Sequence, residues 1–430
     1  MVVGVIVLLF VVALMVGTPM GVAIAGCSIL PNLFAPSVPY NVDSAMRSMV
    51  GGLDSFVLLA IPLFMFSGVI MARGGISEKL FNLFAYFCGN LTSGFPTAVI
   101  ITCLFYGAIS GSGPATTAAV GAMTIPFMTK LGYNPVFSTS LVAVAGGLGV
   151  IIPPSIPVIS YSTISGASVA DLFVAGILPG FLVALFLIAY SFMVCKRNGE
   201  DKEKLRAYYK EVHDRGWKNV LMDGFWALLA PVIVLGSIYG GIATPTEAAA
   251  ISVYYALFVS VFIYKNLRWK ELLEVLQESV RTYASLLFVI SSAVALSRVI
   301  TLLQVSVVVE QAVLAKVSSK IGVLLLINVI MLFAGMIMDA VPALMIFTPI
   351  LLPIATSVGI DPIHLGIIMI ANLAVGFVTP PVGINLYVSS NMTGIPVLRI
   401  AKSAVPFIIA FFLALMLITF VPEISLMLVK

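Results

Sequence analysis

Residues 94–128 read GFPTAVIITCLFYGAISGSGPATTAAVGAMTIPFM, and residues 322–355 read GVLLLINVIMLFAGMIMDAVPALMIFTPILLPIA. Each is an apolar run cut near its middle by a short tip. The first tip is Ser110-Gly111-Ser112-Gly113 and the second is Asp339-Ala340-Val341. The arms on either side (94–109, 114–128, 322–338, 342–355) hold about 15 residues each, or about 22 Å of helix at 1.5 Å per residue. A bilayer core is about 30 Å thick. Each stretch is therefore expected to enter and leave on one side, as a re-entrant hairpin, rather than to cross twice.

The two stretches belong to a longer repeat. Sliding the chain against itself by about 227 positions pairs Gly94 with Gly322, Gly107 with Gly335 and Pro114 with Pro342. It also pairs Asn134-Pro135 with Asp361-Pro362, Gly149 with Gly376, Pro153-Pro154 with Pro380-Pro381, and Pro179 with Pro406. Nearer the start, Thr18-Pro19 meets Thr244-Pro245. Downstream of each hairpin lies a helix interrupted by a Pro-Pro loop: 135–149 then 155 onward, and 362–376 then 382 onward. Proline removes a backbone donor and glycine permits unusual dihedrals, so the helix stops there. Irregular backbone at membrane depth is tolerated only where it is buried in protein or lines a cavity. Paired interrupted helices in corresponding places of two halves are the pattern of a secondary transporter built from inverted repeats.

Composition agrees. Of 430 residues, 61% are hydrophobic and 9% charged, against about 25% charged in a soluble domain. This excludes a soluble enzyme, a nucleic-acid reader and a disordered scaffold. Long apolar blocks, rather than alternation, exclude a β-barrel. The expectation is an all-α polytopic membrane protein with roughly ten to twelve passes. The N-terminus has no basic residue before its apolar run, which points to a retained first span rather than a cleaved leader. The four cysteines show no paired spacing and read as reduced packing residues. Residues 196–219 hold eight Lys/Arg and five Asp/Glu and read as a cytoplasmic loop. Residues 265–281, with apolar and charged positions mixed, suit an amphipathic helix along the membrane surface, and 44–50 a shorter counterpart. The expected organisation is a first repeat over 1–195 and a second over 220–430, joined by 196–219. In the first, 1–93 is scaffold, 94–168 hairpin and broken helix, and 169–195 a closing span. In the second, these parts are 220–321, 322–393 and 394–430.

Each tip places a helix C-terminus and a helix N-terminus at mid-depth, where free carbonyls attract cations and free amides attract anions. Ser110 and Ser112 add hydroxyls at the first tip, and Asp339 adds a carboxylate at the second. Ser155, with Gly146-Gly147, flanks the first broken loop, and Thr379 and Asn385 flank the second. Oxygen ligands without a His or Cys cluster suit a hard cation such as Na⁺. The plainer alternative is that these hydroxyls only cap helices. Arg298 sits in an apolar run, where a charge costs about 2.5–3.5 kcal/mol. It is expected to clamp a substrate carboxylate bidentately; snorkelling, or pairing with Glu310, is the competing reading. Glu247, after Thr244-Pro245-Thr246, suits the first turn of a helix. No nucleophile–base pair and no phosphate-cradling motif stands out, so neither enzymatic activity nor an ATP site is expected.

The segments Gly241-Ile242-Ala243-Thr244-Pro245-Thr246-Glu247-Ala248-Ala249, Ser110-Gly111-Ser112-Gly113-Pro114-Ala115-Thr116, Ile152-Pro153-Pro154-Ser155 and Phe377-Val378-Thr379-Pro380-Pro381-Val382-Gly383-Ile384-Asn385 resemble the large, DctM-like membrane subunit of TRAP transporters. The resemblance extends over essentially the whole chain. It implies a bacterial inner-membrane secondary transporter that imports an organic acid, of sialic acid or C4-dicarboxylate type, on a Na⁺ gradient. Expected partners are a periplasmic substrate-binding protein, a small membrane subunit on a separate chain, and the lipid bilayer, with no cofactor and no nucleic acid. It further implies an elevator, in which hairpins and broken helices slide against the remaining helices. Carried onto this chain, the family's Na⁺ regions hold Ser110, Ser112, Gly147, Asp339, Thr379 and Gly383. Arg298, Ser155 and Asn385 are the expected substrate contacts. Net inward charge movement would gain about 2.3 kcal/mol per charge per 100 mV. A symporter without a binding protein and a passive channel are the competing readings.

Overall fold

A computed structural model describes residues 2–30, 41–214, 216–317 and 319–429, and the described residues are helical with connecting turns. Eight helices among them are long and apolar enough to cross a membrane, fewer than the ten to twelve expected. The difference is chain spent on short elements. Val2–Met15 and Met20–Ile29 have 14 and 10 residues, and the half-helices of the two broken segments have 10, 11 or 15. A full span needs about 20.

The first hairpin consists of Gly94–Ser110 and Gly113–Lys130, the second of Lys320–Ile337 and Ala340–Ser357. The arms have 17 or 18 residues, about 26 Å each, longer than expected. Helix continues through Ser110 because Gly111, at φ 61°, is the residue that ends it. The first broken helix runs Pro135–Ala145, tightens into a 3₁₀ turn at Gly146–Val150, and resumes at Ile156–Ser165. The second runs Pro362–Gly376 and resumes at Ile384–Thr393. Both Pro-Pro bonds, Pro153-Pro154 and Pro380-Pro381, are cis.

Hydrogen bonds show the inversion. At the base of the first hairpin, the Ser93 amide and the Tyr133 hydroxyl donate to the Glu200 carboxylate at 3.1 and 2.5 Å, which places this base on the charged-loop side. Arg399 and Lys402, at the start of helix Val397–Phe420, share a cavity with Glu200 and Asp201 there. That helix of 24 residues is long enough to cross, and near its far end the Thr419 carbonyl meets the His364 ring. At that far side the Tyr161 hydroxyl donates to the Pro362 carbonyl (2.5 Å), and Lys320 Nζ donates to Gly359 O across the base of the second hairpin. The bases thus lie on opposite faces while the tips meet in the middle.

Glycine sets how closely the parts approach. A Cβ on Gly107 would lie 2.6 Å from Gly149 Cα, and one on Gly376 would lie 2.5 Å from Gly335 Cα. These are the same glycines that the internal repeat aligns. In each half, the first hairpin arm packs backbone to backbone against the broken helix.

Two surface assignments change. Residues 196–219 are not an open loop. Lys202–Asp214 is a helix with Leu205 buried, and the Tyr208 ring lies 4.6 Å from that of Phe127 under the first hairpin. Residues 265–281 do not form a separate surface helix either. From Leu272 they continue without a break into Leu272–Leu302, because nothing between the charged and apolar parts stops the helix. The 44–50 segment does form a short amphipathic helix, Val42–Gly51, capped by the Asn41 side chain. Thr244 and Glu247 form a capping box at the start of Pro245–Phe258. All four cysteines are free.

Glu200 satisfies two donors from different elements, and burial together with this carboxylate pushes the Tyr133 phenol up from its ordinary value. Removing the acceptor strands both donors in a half-buried site. Glu200→Ala is expected to cost about 1–3 kcal/mol, read as a lowered melting temperature in detergent. Glu200→Gln, which keeps one acceptor oxygen, should lose less; equal melting of all three proteins would refute the strap.

Candidate functional site

The two tips and the loops of both broken helices meet at one cavity of about 470 Å³. Gly111, Ser112 and Pro114 come from the first tip; Met338, Asp339 and Pro342 from the second; Ile156 and Val382 from the loops. The far wall is helix Leu272–Leu302, through Thr282, Ser285, Leu286 and Val289. Tip and loop are stitched together in both halves. Ile156 N donates to Gly111 O at 3.2 Å, and Val382 N donates to Met336 O at 3.1 Å. Past Thr282 the wall continues into a space lined by Glu274 and Arg281 and flanked by the 2.7 Å Arg73–Glu278 ion pair.

The structure sorts the expected residues. Ser112 and Asp339 line the cavity, and Asp339 is exposed into it while its carboxylate accepts from the Ala340 amide at 2.7 Å. Ser110 is buried just behind, its hydroxyl 2.8 Å from that of Thr116, which in turn donates to Ser112 O at 2.8 Å. Thr379 bonds back to Val375 O, and Gly383, at φ 59°, packs against the Thr379 carbonyl. Both shape the second loop without lining the cavity.

The rest are elsewhere. Gly147 faces Ala374 and Phe411, away from the first tip. Gly146 and Gly149 take the facing positions, where a Cβ would meet the hydroxyls of Thr117 and Thr116 at 1.9 and 2.4 Å. Ser155 closes the first loop on itself by donating to Val150 O at 2.6 Å. Asn385 is buried, donating to Ala143 O at 3.0 Å and so joining the two broken helices. Arg298 lines a different cavity, beside Arg47, and forms no ion pair with Glu310 or any other described acid.

Several site residues were not anticipated from sequence. Thr116 and Thr117 follow Ser112 by a helical turn, and the Thr117 hydroxyl is buried without a partner. Such an orphan oxygen, beside the tip hydroxyls and carbonyls, fits a small hard cation as ligand. Thr282 and Ser285, on one face of a helix, carry no charge to mark them, unlike Arg298 in the apolar stretch 286–302 of the same helix. Among the described residues there is no group of His, Cys, Asp and Glu suited to a transition metal.

Known proteins match this architecture. Two solved transporters, YdaH of Alcanivorax borkumensis and MtrF of Neisseria gonorrhoeae, superpose with a TM-score of 0.61 each, at 15% and 13% identity. The first match covers 91% of both chains, the second 88% of this chain and 84% of the other; at that identity they establish the fold alone. In sequence, the chain is 41% identical to the isethionate TRAP transporter permease protein DctMQ of Oleidesulfovibrio alaskensis over 96% of its length, and spans 64% of that relative. It is 38% identical to the C4-dicarboxylate TRAP transporter large permease protein DctM of Pseudomonas aeruginosa, covering 92% of this chain and 90% of that one. With the sialic acid large permease SiaM of Vibrio cholerae it shares 33% over 90% of each. These relatives are transporter permeases, not enzymes, from bacteria. Residues 6–424 match the family described as "Tripartite ATP-independent periplasmic transporter, DctM component". With the inverted hairpins and the eight apolar helices, that match makes this chain a multi-pass inner-membrane protein of the DctM family, the large membrane subunit of a TRAP transporter.

Proposed function

We propose that the chain couples Na⁺ entry to import of a small organic acid delivered by a periplasmic binding protein, with a small membrane subunit completing the permease. The observation that carries this is the cavity where both tips and both broken loops meet, walled by one long helix. Four oxygen-bearing groups at the first tip, Ser110, Ser112, Thr116 and Thr117, suit Na⁺. Asp339 with the Thr379–Gly383 loop would supply a second site. The relatives' names span a sulfonate, dicarboxylates and sialic acid. Their shared chemistry is a small oxyanion-bearing organic acid, and that class is the proposed substrate.

The motion proposed is an elevator. Residues 94–168 and 322–393 move as one body, and 1–93 with 220–321 hold still against the small subunit. Supporting this, the moving parts are stitched to one another by backbone bonds and glycine contacts, whereas the cavity's far wall belongs to a scaffold helix. With 196–219 cytoplasmic, the opening past Thr282 toward Arg281 faces inward, the release side.

Proteoliposomes holding this chain, the small subunit and added binding protein are expected to accumulate substrate only with an inward Na⁺ gradient. Equal uptake with K⁺ in place of Na⁺ rejects coupling. Accumulation without binding protein would favour a stand-alone symporter, and downhill flux alone a channel.

A further inference from the structure

The tip cavity leaves two arginines unused. Arg298 lies nine positions beyond Val289 on helix Leu272–Leu302, about 13 Å along its axis, toward the face opposite the charged loop. Ser291, Val294 and Arg298 fall on one helical face. The Ser291 hydroxyl donates to the Met49 carbonyl at 2.9 Å, and Gly52 sits so close that a Cβ there would lie 2.6 Å from Val294. These two contacts fix the register of helix Val42–Gly51 against the long helix and set Arg47 beside Arg298. Both line a cavity of about 610 Å³, with the hydroxyl residues Ser48, Thr163, Ser297 and Thr301. Both are exposed, and neither forms an ion pair among the described residues; Asp43, one turn before Arg47, does not reach it. The cavity shares no lining residue with the tip cavity. Along the chain, the buried Ile290 and Ala293 separate the two linings on the long helix, and the buried Leu344 separates them on the second hairpin.

Two guanidiniums without acids, among hydroxyl donors, present a surplus of positive charge and hydrogen-bond donors. That is the complement of a carboxylate or sulfonate. We propose that Arg47 and Arg298 form an outer capture site where the oxyanion of the incoming substrate docks before it reaches the hairpin tips. One wall carries Thr163 and Met345, from the broken helix and second hairpin assigned above to the moving body. The site therefore changes shape as that body slides, and the anion is handed inward. The direction of passage rests on the proposed transport function; the anion site itself does not.

The test uses the purified chain in nanodiscs and phenylglyoxal, which modifies arginine, with each site read by peptide mass spectrometry. Succinate, isethionate and N-acetylneuraminate are the probes, and exposed Arg206 on the charged-loop helix is the internal reference. At least one probe is expected to slow modification of both Arg47 and Arg298 by about fivefold or more while leaving Arg206 unchanged. In reconstituted transport, Arg47→Gln and Arg298→Gln should each raise the substrate KM about tenfold with unaltered Na⁺ dependence, Arg298→Lys falling between. Loss of Na⁺ dependence in the wild type would leave the labelling result standing and reject only the coupling. Unprotected arginines with all three probes, or wild-type KM in both Gln variants, overturns the outer site.

Discussion

Gly376→Ala is expected to yield almost no folded, transport-competent protein. A Cβ at Gly376 would stand 2.4 Å from the Gly335 carbonyl carbon and 2.5 Å from its Cα. Both neighbours are backbone, so no rotamer change relieves the contact. The hairpin arm must move off the broken helix, and the loop bearing Thr379 and Val382 moves with it. Overpacking a core typically costs about 1–3 kcal/mol, and a backbone clash belongs at or above the top of that range. Gly107→Ala is expected to do the same in the other half, where the added carbon meets Gly149 Cα at 2.6 Å. Gly236→Ala is the control. Nothing lies within 4 Å of its added carbon, and alanine in a helix interior is favoured by roughly 0.5–1 kcal/mol. Yield of monodisperse protein and melting temperature in detergent read all three. A Gly376→Ala protein that melts like wild type would show that the arms do not pack as closely as described.

That glycine pair also shows what sequence could and could not reveal. Gly107, Gly149, Gly335 and Gly376 stand out on self-alignment because the backbone packing leaves no other residue possible, and such positions survive in both halves. The Pro-Pro loops are legible for the same reason. Hairpin arm lengths were underestimated because hydropathy falls before helix does: Ser110 and Lys130 are polar yet still helical. The missed wall residues have a different cause. Thr282 and Ser285 are unremarkable in a long apolar helix, and only tertiary packing turns them toward the tips. Arg298 shows the converse. Its charge marked it as functional, but its distance from Val289 along the helix puts it outside the tip cavity. Periodicity within one helix shows which residues share a face, and depth is settled only by what the neighbouring helices bring alongside. In the 3₁₀ turn of Gly146–Val150 adjacent residues face different partners, so a Cβ on Gly146 or Gly149 would meet the first-tip threonines and one on Gly147 would meet Ala374 and Phe411.

Asp339→Asn is expected to uncouple substrate from Na⁺. Among the described residues Asp339 is the only ionisable one lining the tip cavity, and it is negative, whereas the proposed substrate is an anion. Two like charges about 4 Å apart repel by about 4 kcal/mol at the effective dielectric of a protein surface. An organic acid therefore cannot settle beside this carboxylate until a cation neutralises it. A Na⁺ at the proposed second-tip site would remove that repulsion, and ion and substrate would then bind together rather than independently. Asparagine keeps the acceptor that caps the Ala340 amide but removes the charge. Substrate binding by Asp339→Asn should then depend less on Na⁺, while Na⁺-driven accumulation falls about tenfold or more. Ser112→Ala would weaken the proposed Na⁺ site at the first tip, so its half-saturating Na⁺ concentration should rise while substrate binding at saturating Na⁺ persists. If Asp339 were only a helix cap, the asparagine protein would melt, bind and accumulate like wild type, with its full Na⁺ requirement intact. Equilibrium binding with and without Na⁺, paired with proteoliposome uptake, separates the two roles, because only a charge that must be neutralised makes the variant better at binding without Na⁺ and worse at accumulating with it.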